Sequence, residues 1–323
     1  MFKKSLFVLL GVASLFSPIV TAKNLTVGVA MYSLSDKYPT YLQDAMKKFD
    51  QEKADVTFRY ADANSDPARM LSDIETFIDS GVSALLVMPT DSDIIKAIGV
   101  KAKKANIPLV VVTNKPKDED MKYIASYVGS EEITGGEMQA NFIVEQLKGK
   151  PANAIILMGP LGWDAQIKRT EGNENILRKH PEIQVISKQE GKWDRAKAID
   201  ITENLLSGSQ KIDVVISNND EMAIGALLAA RKKGIADEDM LIVGLDATPD
   251  ALEYLGKGLD ATIYQSASGQ GRTSAEIAYK ATKGESVPKL NFIPFELVTP
   301  DKKAQYIDKY RCSRPSELRT TNL

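Results

Sequence analysis

Polar side chains recur at one kind of place in this sequence, directly after a short apolar run. Asp36 and Tyr38 come after residues 25–30, and Asn114 and Lys115 after 109–112. Trp163 and Asp164 come after 154–158, with Arg169 beyond them, and Trp193 comes after 183–188. Asn219 follows 214–217, Asp246 follows 241–245 and Gln265 follows 261–264. Carboxylates, planar amides and a guanidinium form paired hydrogen bonds with neighbouring hydroxyls. Aromatic faces cover apolar C–H surface. The mixture suits a small ring rich in hydroxyls, because an unpaired polar group in a closed site costs roughly 1–3 kcal/mol. Taken singly, these residues have plainer roles. Asp36, Asp66, Asp91 and Asp194 are helix-capping types, and Asp220 reads as the cap of a helix opening at Glu221. A lone Trp163 or Trp193 reads as core or anchor, and a lone Arg169 as a solvated helix face. Their joint placement carries the functional reading.

The elements that hold them alternate along the chain. Strand-like runs at 25–30, 56–60, 84–88, 109–112 and 123–128 are separated by helical patterns at 40–52, 67–80 and 92–105. The pattern then restarts, with helices at 132–147, 165–179, 194–206, 221–233 and 249–257. Between them lie strands at 154–158, 183–188, 214–217, 241–245 and 261–264. Runs such as AIILM and DVVIS do not alternate with polar residues, so both sheet faces are expected to be covered. Repeated β-α-β crossovers force a parallel sheet with helices on each side. The strands are too many for one comfortable sheet. The expected fold class is therefore α/β, with two doubly wound parallel-sheet domains. Strands near Tyr123, Ala261 and Phe292 would pass between the halves, giving three crossovers. The expected division is 23–129 with 267–294, and 130–266 with 295–323. In open α/β sheets ligands bind beyond the carboxyl ends of strands, where the polar residues lie.

Other chemistries find little support. A net charge of −2 provides no basic footprint for nucleic acid. With one His and one Cys, His- or Cys-rich metal sites are excluded, and a Ser-His-Asp triad would have to rest on His180. Cys312 cannot form an internal disulfide, so a large apolar core must supply stability. Gly269-Gln-Gly271 lacks the third glycine of a dinucleotide loop and does not open the first β-α unit. Glu131-Glu132 could offer the facing carboxylates of a glycosidase. It reads instead as a helix start, where negative charge is favoured. Residues 1–22 carry Lys3-Lys4, an apolar core from Leu6 to Phe16 and small residues before Lys23. That is the pattern of a cleaved secretory signal, with no Cys nearby to take a lipid.

The stretches IPLVVVTNKP, YVGSEEITGG, SNNDEMAIGAL, VGLDATPDAL and NFIPFELVTPD resemble the periplasmic sugar-binding proteins of ABC importers, of the ribose/galactose type. The resemblance spans nearly the whole chain after residue 22. Within that family, AMYSLSDKYPTYLQDAM, LGWDAQIKRTEG and IPFELVTPD are most similar to the branch that binds myo-inositol. The resemblance implies the type I periplasmic binding protein fold and no enzymatic activity or cofactor. It implies a monomer in the periplasm whose partners are a sugar or cyclitol and a membrane permease, with a chemoreceptor as a further partner. The implied ligand contacts are Asp36, Tyr38, Asn114, Lys115, Arg169, Trp193, Asn219, Asp246 and Gln265, with Trp163 and Asp164 in a flanking loop. Met88 stands where the family often has Asn, and Asn114 removes a carboxylate from the ribose pattern. Both departures favour a cyclitol over ribose; a pentose or hexose is the runner-up. A DNA-binding regulator of the same fold would need a helix-turn-helix where the signal stands. An exported sugar enzyme is the remaining alternative.

Overall fold

The computed structural model describes residues 25–313, and side chains as far as 310. The expected signal at 1–22 lies outside the described residues, as do the surroundings of Cys312. The first half of the chain runs β1 (Leu25–Met31), α1 (Lys37–Gln51), β2 (Val56–Asp62), α2 (Pro67–Asp79), β3 (Ala84–Met88), α3 (Ile94–Lys104), β4 (Leu109–Val112) and β5 (Ser126–Gly129). The pattern resumes with α4 (Glu132–Leu147), β6 (Ala152–Met158), α5 (Asp164–Leu177), β7 (Ile183–Glu190), α6 (Arg195–Leu206), β8 (Val214–Ser217), α7 (Asp220–Lys232) and β9 (Leu241–Asp246). The chain closes with α8 (Pro249–Tyr254), β10 (Ala261–Tyr264), α9 (Ala267–Thr282), β11 (Leu290–Phe292), β12 (Glu296–Val298) and α10 (Lys303–Ser313).

These strands build two six-stranded sheets, in the orders β11-β5-β4-β3-β1-β2 and β12-β10-β9-β8-β6-β7. Every pairing is parallel except the edge pair of β10 with β12. β3 and β8 are buried along their whole length, as sheets covered on both faces require. Each sheet reverses its strand order beside its first strand, so each has a switch point, and binding sites form there. The chain passes between the sheets three times, from β5 to α4, from β10 to α9 and from β11 to β12. α9 returns to pack against α1 and the first sheet, and α10 packs against α8 in the second lobe.

Local signals set several boundaries, although Asp36 makes no capping hydrogen bond to α1. Asp66 accepts from the amides of Ala68 and Arg69, with Pro67 at the first helical position. Asp91 accepts from Asp93 and Ile94, and Asp194 from Lys197. Three expectations need correction. The segment expected as a strand from Tyr123 begins instead with a 3-10 turn, Asp118–Tyr123, and pairing starts at Ser126. The helix expected to end at Lys257 stops at Tyr254. Asp220 does not cap α7. Asn219 accepts from the Met222 amide, while the buried Asp220 carboxylate accepts from the Thr262 hydroxyl and the Thr248 amide. The carboxylate thus ties α7 to β10 and to the loop after β9.

Candidate functional site

The carboxyl ends of the two sheets face each other across a cavity of about 680 Å³. Its walls include Asp36, Tyr38, Met88, Thr113 and Asn114 from one lobe, and Trp163, Arg169, Trp193, Asn219, Asp246 and Gln265 from the other lobe and the crossovers. A loop follows each strand, so the fold brings residues far apart in sequence to one place.

Arg169 is the hub. It is buried on α5, and three of its groups are occupied. Nε donates to Glu132 at 2.7 Å, Nη1 to the Asn218 carbonyl at 2.7 Å and Nη2 to Gln265 Oε1 at 2.9 Å. Asp246 Oδ1 stands 3.9 Å from Nη1, beyond hydrogen-bond length but within electrostatic reach. Glycines make this arrangement possible. A Cβ at Gly136 would lie 2.0 Å from the Arg169 carbonyl oxygen, and one at Gly172 would lie 2.2 Å from that of Ile133. α4 and α5 therefore touch backbone to backbone, which sets Glu132 beside Arg169.

Aromatic rings form one wall. Trp193 covers Gly159, where a Cβ would be 2.1 Å from the indole. It meets Trp163 at 6.3 Å, and the Arg169 guanidinium carbon lies 5.7 Å from its centroid. Trp163 in turn meets Tyr32 of the first lobe at 4.8 Å.

The electrostatics follow from burial. Burial raises the Asp246 carboxyl well above its ordinary range against the pull of Arg169, with Asp220 and Glu132 adding to the rise. Burial lowers the affinity of Arg169 for its proton, but Glu132 and Asp246 more than compensate and hold it charged. Burial also raises Asp36, although hydrogen bonds with Tyr32 and Ser33 oppose the rise. The Tyr38 hydroxyl is buried and has no hydrogen-bond partner among the described residues. Backbone strain gathers here as well. Thr113 has φ 69°, Trp193 φ 64° and Asp246 φ 125°, a region that side chains other than glycine rarely enter.

Two of the expected contacts are placed differently. Lys115 is absent from the cavity lining and pairs with Asp118 at 2.9 Å, because the turn after β4 brings that carboxylate back to it. Asp164 is also absent from the lining; it is the half-buried first residue of α5, next to Trp163 in the chain. Asn114 lines the cavity, but its amide nitrogen is committed to the Pro89 carbonyl at 2.9 Å. Asn219 both caps α7 and donates to the Trp193 carbonyl at 3.3 Å. Sequence reasoning passed over Tyr32 and Glu132. Tyr32 directly follows β1 and was readable by the same rule as Asp36. Glu132 read as a helix start, and no spacing linked it to an arginine 37 positions on.

Nothing else among the described residues competes as a reactive centre. No cluster of His, Cys, Asp and Glu is arranged to hold a metal there. His180 pairs with Glu182 at 3.2 Å, outside the cavity lining. No helix among the described residues is long and apolar enough to cross a membrane.

Residues 27–286 match the periplasmic binding protein domain family. The chain belongs to that family. Its members are solute-binding proteins rather than enzymes. A protein of Rhizobium meliloti, provisionally named as rhizopine-binding, is 35% identical over 93% of this chain and 98% of its own length. The ribose import binding protein of Bacillus subtilis is 33% identical over 86% of this chain and 88% of its own. A crystal structure of an ABC transporter solute-binding protein from Bacillus halodurans, with bound myo-inositol, superposes with a TM-score of 0.85. It is 37% identical, over 90% of this chain and 99% of that one. The two-lobed architecture is thus that of a periplasmic binding protein.

Proposed function

We propose that this periplasmic binding protein captures one small polyol between its lobes, myo-inositol being the best match, and passes it unchanged to an ABC importer permease. The observation that carries this reading is one cavity lined by the Arg169–Asp246 pair, the Trp193 ring and Tyr38, whose hydroxyl is buried and has no hydrogen-bond partner among the described residues. A buried hydroxyl left unpaired is costly, and a ligand hydroxyl would relieve the cost. Arg169 keeps one N–H on each terminal nitrogen after its protein partners are counted, which suits adjacent hydroxyls. The indole wall suits the C–H face of a ring. The likeness to the Bacillus halodurans protein with bound myo-inositol supports a cyclitol. Of the expected contacts, Asp36, Tyr38, Arg169, Trp193, Asn219, Asp246 and Gln265 would meet the ligand. Lys115 and Asp164 would stand back. In this reading residues 1–22 direct the chain to the periplasm, where it works as a monomer.

Ribose is the second reading, favoured by the 33% identity with the Bacillus subtilis protein. A thermal-shift panel of myo-inositol, ribose, galactose and xylitol separates the two. A ligand at about 100 times its Kd adds roughly 2.7 kcal/mol to stability, so the right one stands out. Calorimetry should then give one site per chain, and chromatography should recover the ligand unaltered. A panel without any shift removes the polyol reading; a chemically changed ligand removes the binding-only reading.

A further inference from the structure

We propose that Glu132 is a positioning residue for ligand capture: placed where the chain first crosses between the lobes, it fixes the aim of the Arg169 fork and the Gln265 amide. The proposal rests on the reading of Arg169 as a ligand contact. Glu132 is the first residue of α4, three positions after β5 ends at Gly129, and Gln265 lies between β10 and α9. Two of the three crossovers thus each contribute one polar group to Arg169. The carboxylate uses both oxygens. Oε2 accepts from Arg169 Nε at 2.7 Å, and Oε1 accepts from Gln265 Nε2 at 3.3 Å. Gln265 Oε1 closes the ring by accepting from Arg169 Nη2 at 2.9 Å. All three side chains are buried, at 2%, 3% and 1% exposure for Glu132, Arg169 and Gln265. Glu132 itself does not line the cavity, so it acts through the two residues that do.

The ring has a consequence for Asp246, which stands beside Arg169 on the same wall of the cavity. Asp246 Oδ1 is 3.9 Å from Nη1 and makes no hydrogen bond to Arg169. While Glu132 neutralises the guanidinium from behind, Asp246 remains available to a ligand hydroxyl. Without the Glu132 charge, Asp246 is the nearest anion and closes on Arg169, removing an acceptor and part of a donor fork from the ligand at once.

The test is a double-mutant cycle of Glu132→Gln with Arg169→Lys. Kd is read by calorimetry for the tightest binder among myo-inositol, ribose, galactose and xylitol, and ligand-free Tm is read for each variant. Gln keeps the shape of Glu132 but loses the charge and one acceptor oxygen. Lys keeps the charge of Arg169 but cannot reach Glu132, Asn218 and Gln265 together. The expected result is a rise in Kd of about tenfold or more for Glu132→Gln alone, and less than about twofold on the Arg169→Lys background. An unchanged Kd for Glu132→Gln, or the same fold-loss in both backgrounds, overturns the proposal, since a merely structural effect would not depend on residue 169. Should Arg169→Lys leave Kd unchanged, or no probe bind, the site reading itself fails and takes the proposal with it. If Glu132→Gln does not fold, Glu132→Asp, which draws the charge back by one methylene, carries the same comparison.

Discussion

The Trp163 indole, carried by the second lobe, meets the Tyr32 ring of the first lobe edge-on, with centroids 4.8 Å apart. Trp163 packs against the apolar cluster of the first lobe while also meeting Trp193 of its own. Its contact with Tyr32 therefore exists only when the lobes are together. An edge-to-face pair of this kind contributes roughly 0.5–1.5 kcal/mol beyond its buried area. Trp163→Ala should shift the population towards separated lobes, raise the radius of gyration of the ligand-free protein in small-angle scattering and raise Kd about three- to thirtyfold. Identical scattering curves for wild type and variant would mean that the contact does not hold the lobes.

Asp246 and Arg169 make a second, sharper case. Both are buried in the cavity wall; Arg169 keeps Glu132 as a partner when Asp246 is removed, whereas Asp246 loses the guanidinium that opposes its burial when Arg169 is removed. Removing a buried charged group that hydrogen-bonds a ligand hydroxyl costs roughly 1.5–3 kcal/mol or more, because the ligand hydroxyl is left unpaired. Asp246→Ala should therefore weaken ligand binding at least about thirtyfold while circular dichroism stays that of a folded α/β protein. Arg169→Ala should lose binding as completely, with a larger drop in Tm, because three hydrogen bonds go with it. Calorimetric Kd values for both variants within threefold of wild type would move the binding site elsewhere.

Much of this was legible in the sequence, and the reasons differ by level. The fold class could be read because apolar runs such as Ala84–Met88 and Val214–Ser217 do not alternate, which only a sheet buried on both faces requires. The position of the cavity followed from polar residues placed after those runs, and nine of the eleven expected contacts line it. What escaped was pairing. Whether Asn219 or Asp220 caps α7 depends on Thr248 and Thr262, which come from other elements and cannot be seen locally. Lys115 is withdrawn by Asp118, three residues on, through a turn whose geometry the spacing alone does not fix. Glu132 looked like a helix-start acid because that is where acids are common. Its buried partner became visible only once Gly136 and Gly172 had brought α4 and α5 into backbone contact.

That close contact is itself testable. A Cβ at position 136 would sit 2.0 Å from the Arg169 carbonyl oxygen, and its neighbours there are backbone atoms that cannot swing away. Gly136→Ala must push α5 off α4 and carry Arg169 with it. Overpacking of this sort costs typically about 1–3 kcal/mol. The expected outcome is a lower urea midpoint together with a weaker Kd. By contrast, Gly149→Ala, where no atom lies within 4 Å, should leave Kd unchanged and cost only the strain of φ 81°. Equal effects of the two substitutions on Kd would refute the role given to the α4–α5 contact.

Asp164 yields a pH dependence with a definite sign. Burial pushes its carboxyl from 3.8 up to about 6, with the Glu132 charge adding to the rise and Lys115 and Lys168 opposing it. The folded protein therefore holds this proton to higher pH than the unfolded chain does. The resulting stability is fully present below about pH 4, and is lost as pH rises through about 6. A gap of this size corresponds to a limit on the order of 1–3 kcal/mol. Asp164→Asn cannot titrate and should remove that dependence. Urea unfolding at pH 4.5, 6 and 7.5 should show wild type losing stability relative to Asp164→Asn across the series. Because Asp164 does not line the cavity, Kd at pH 7.5 should differ by less than about threefold between the two proteins. A flat stability difference would mean that this carboxyl titrates normally. A large change in Kd would return Asp164 to the ligand.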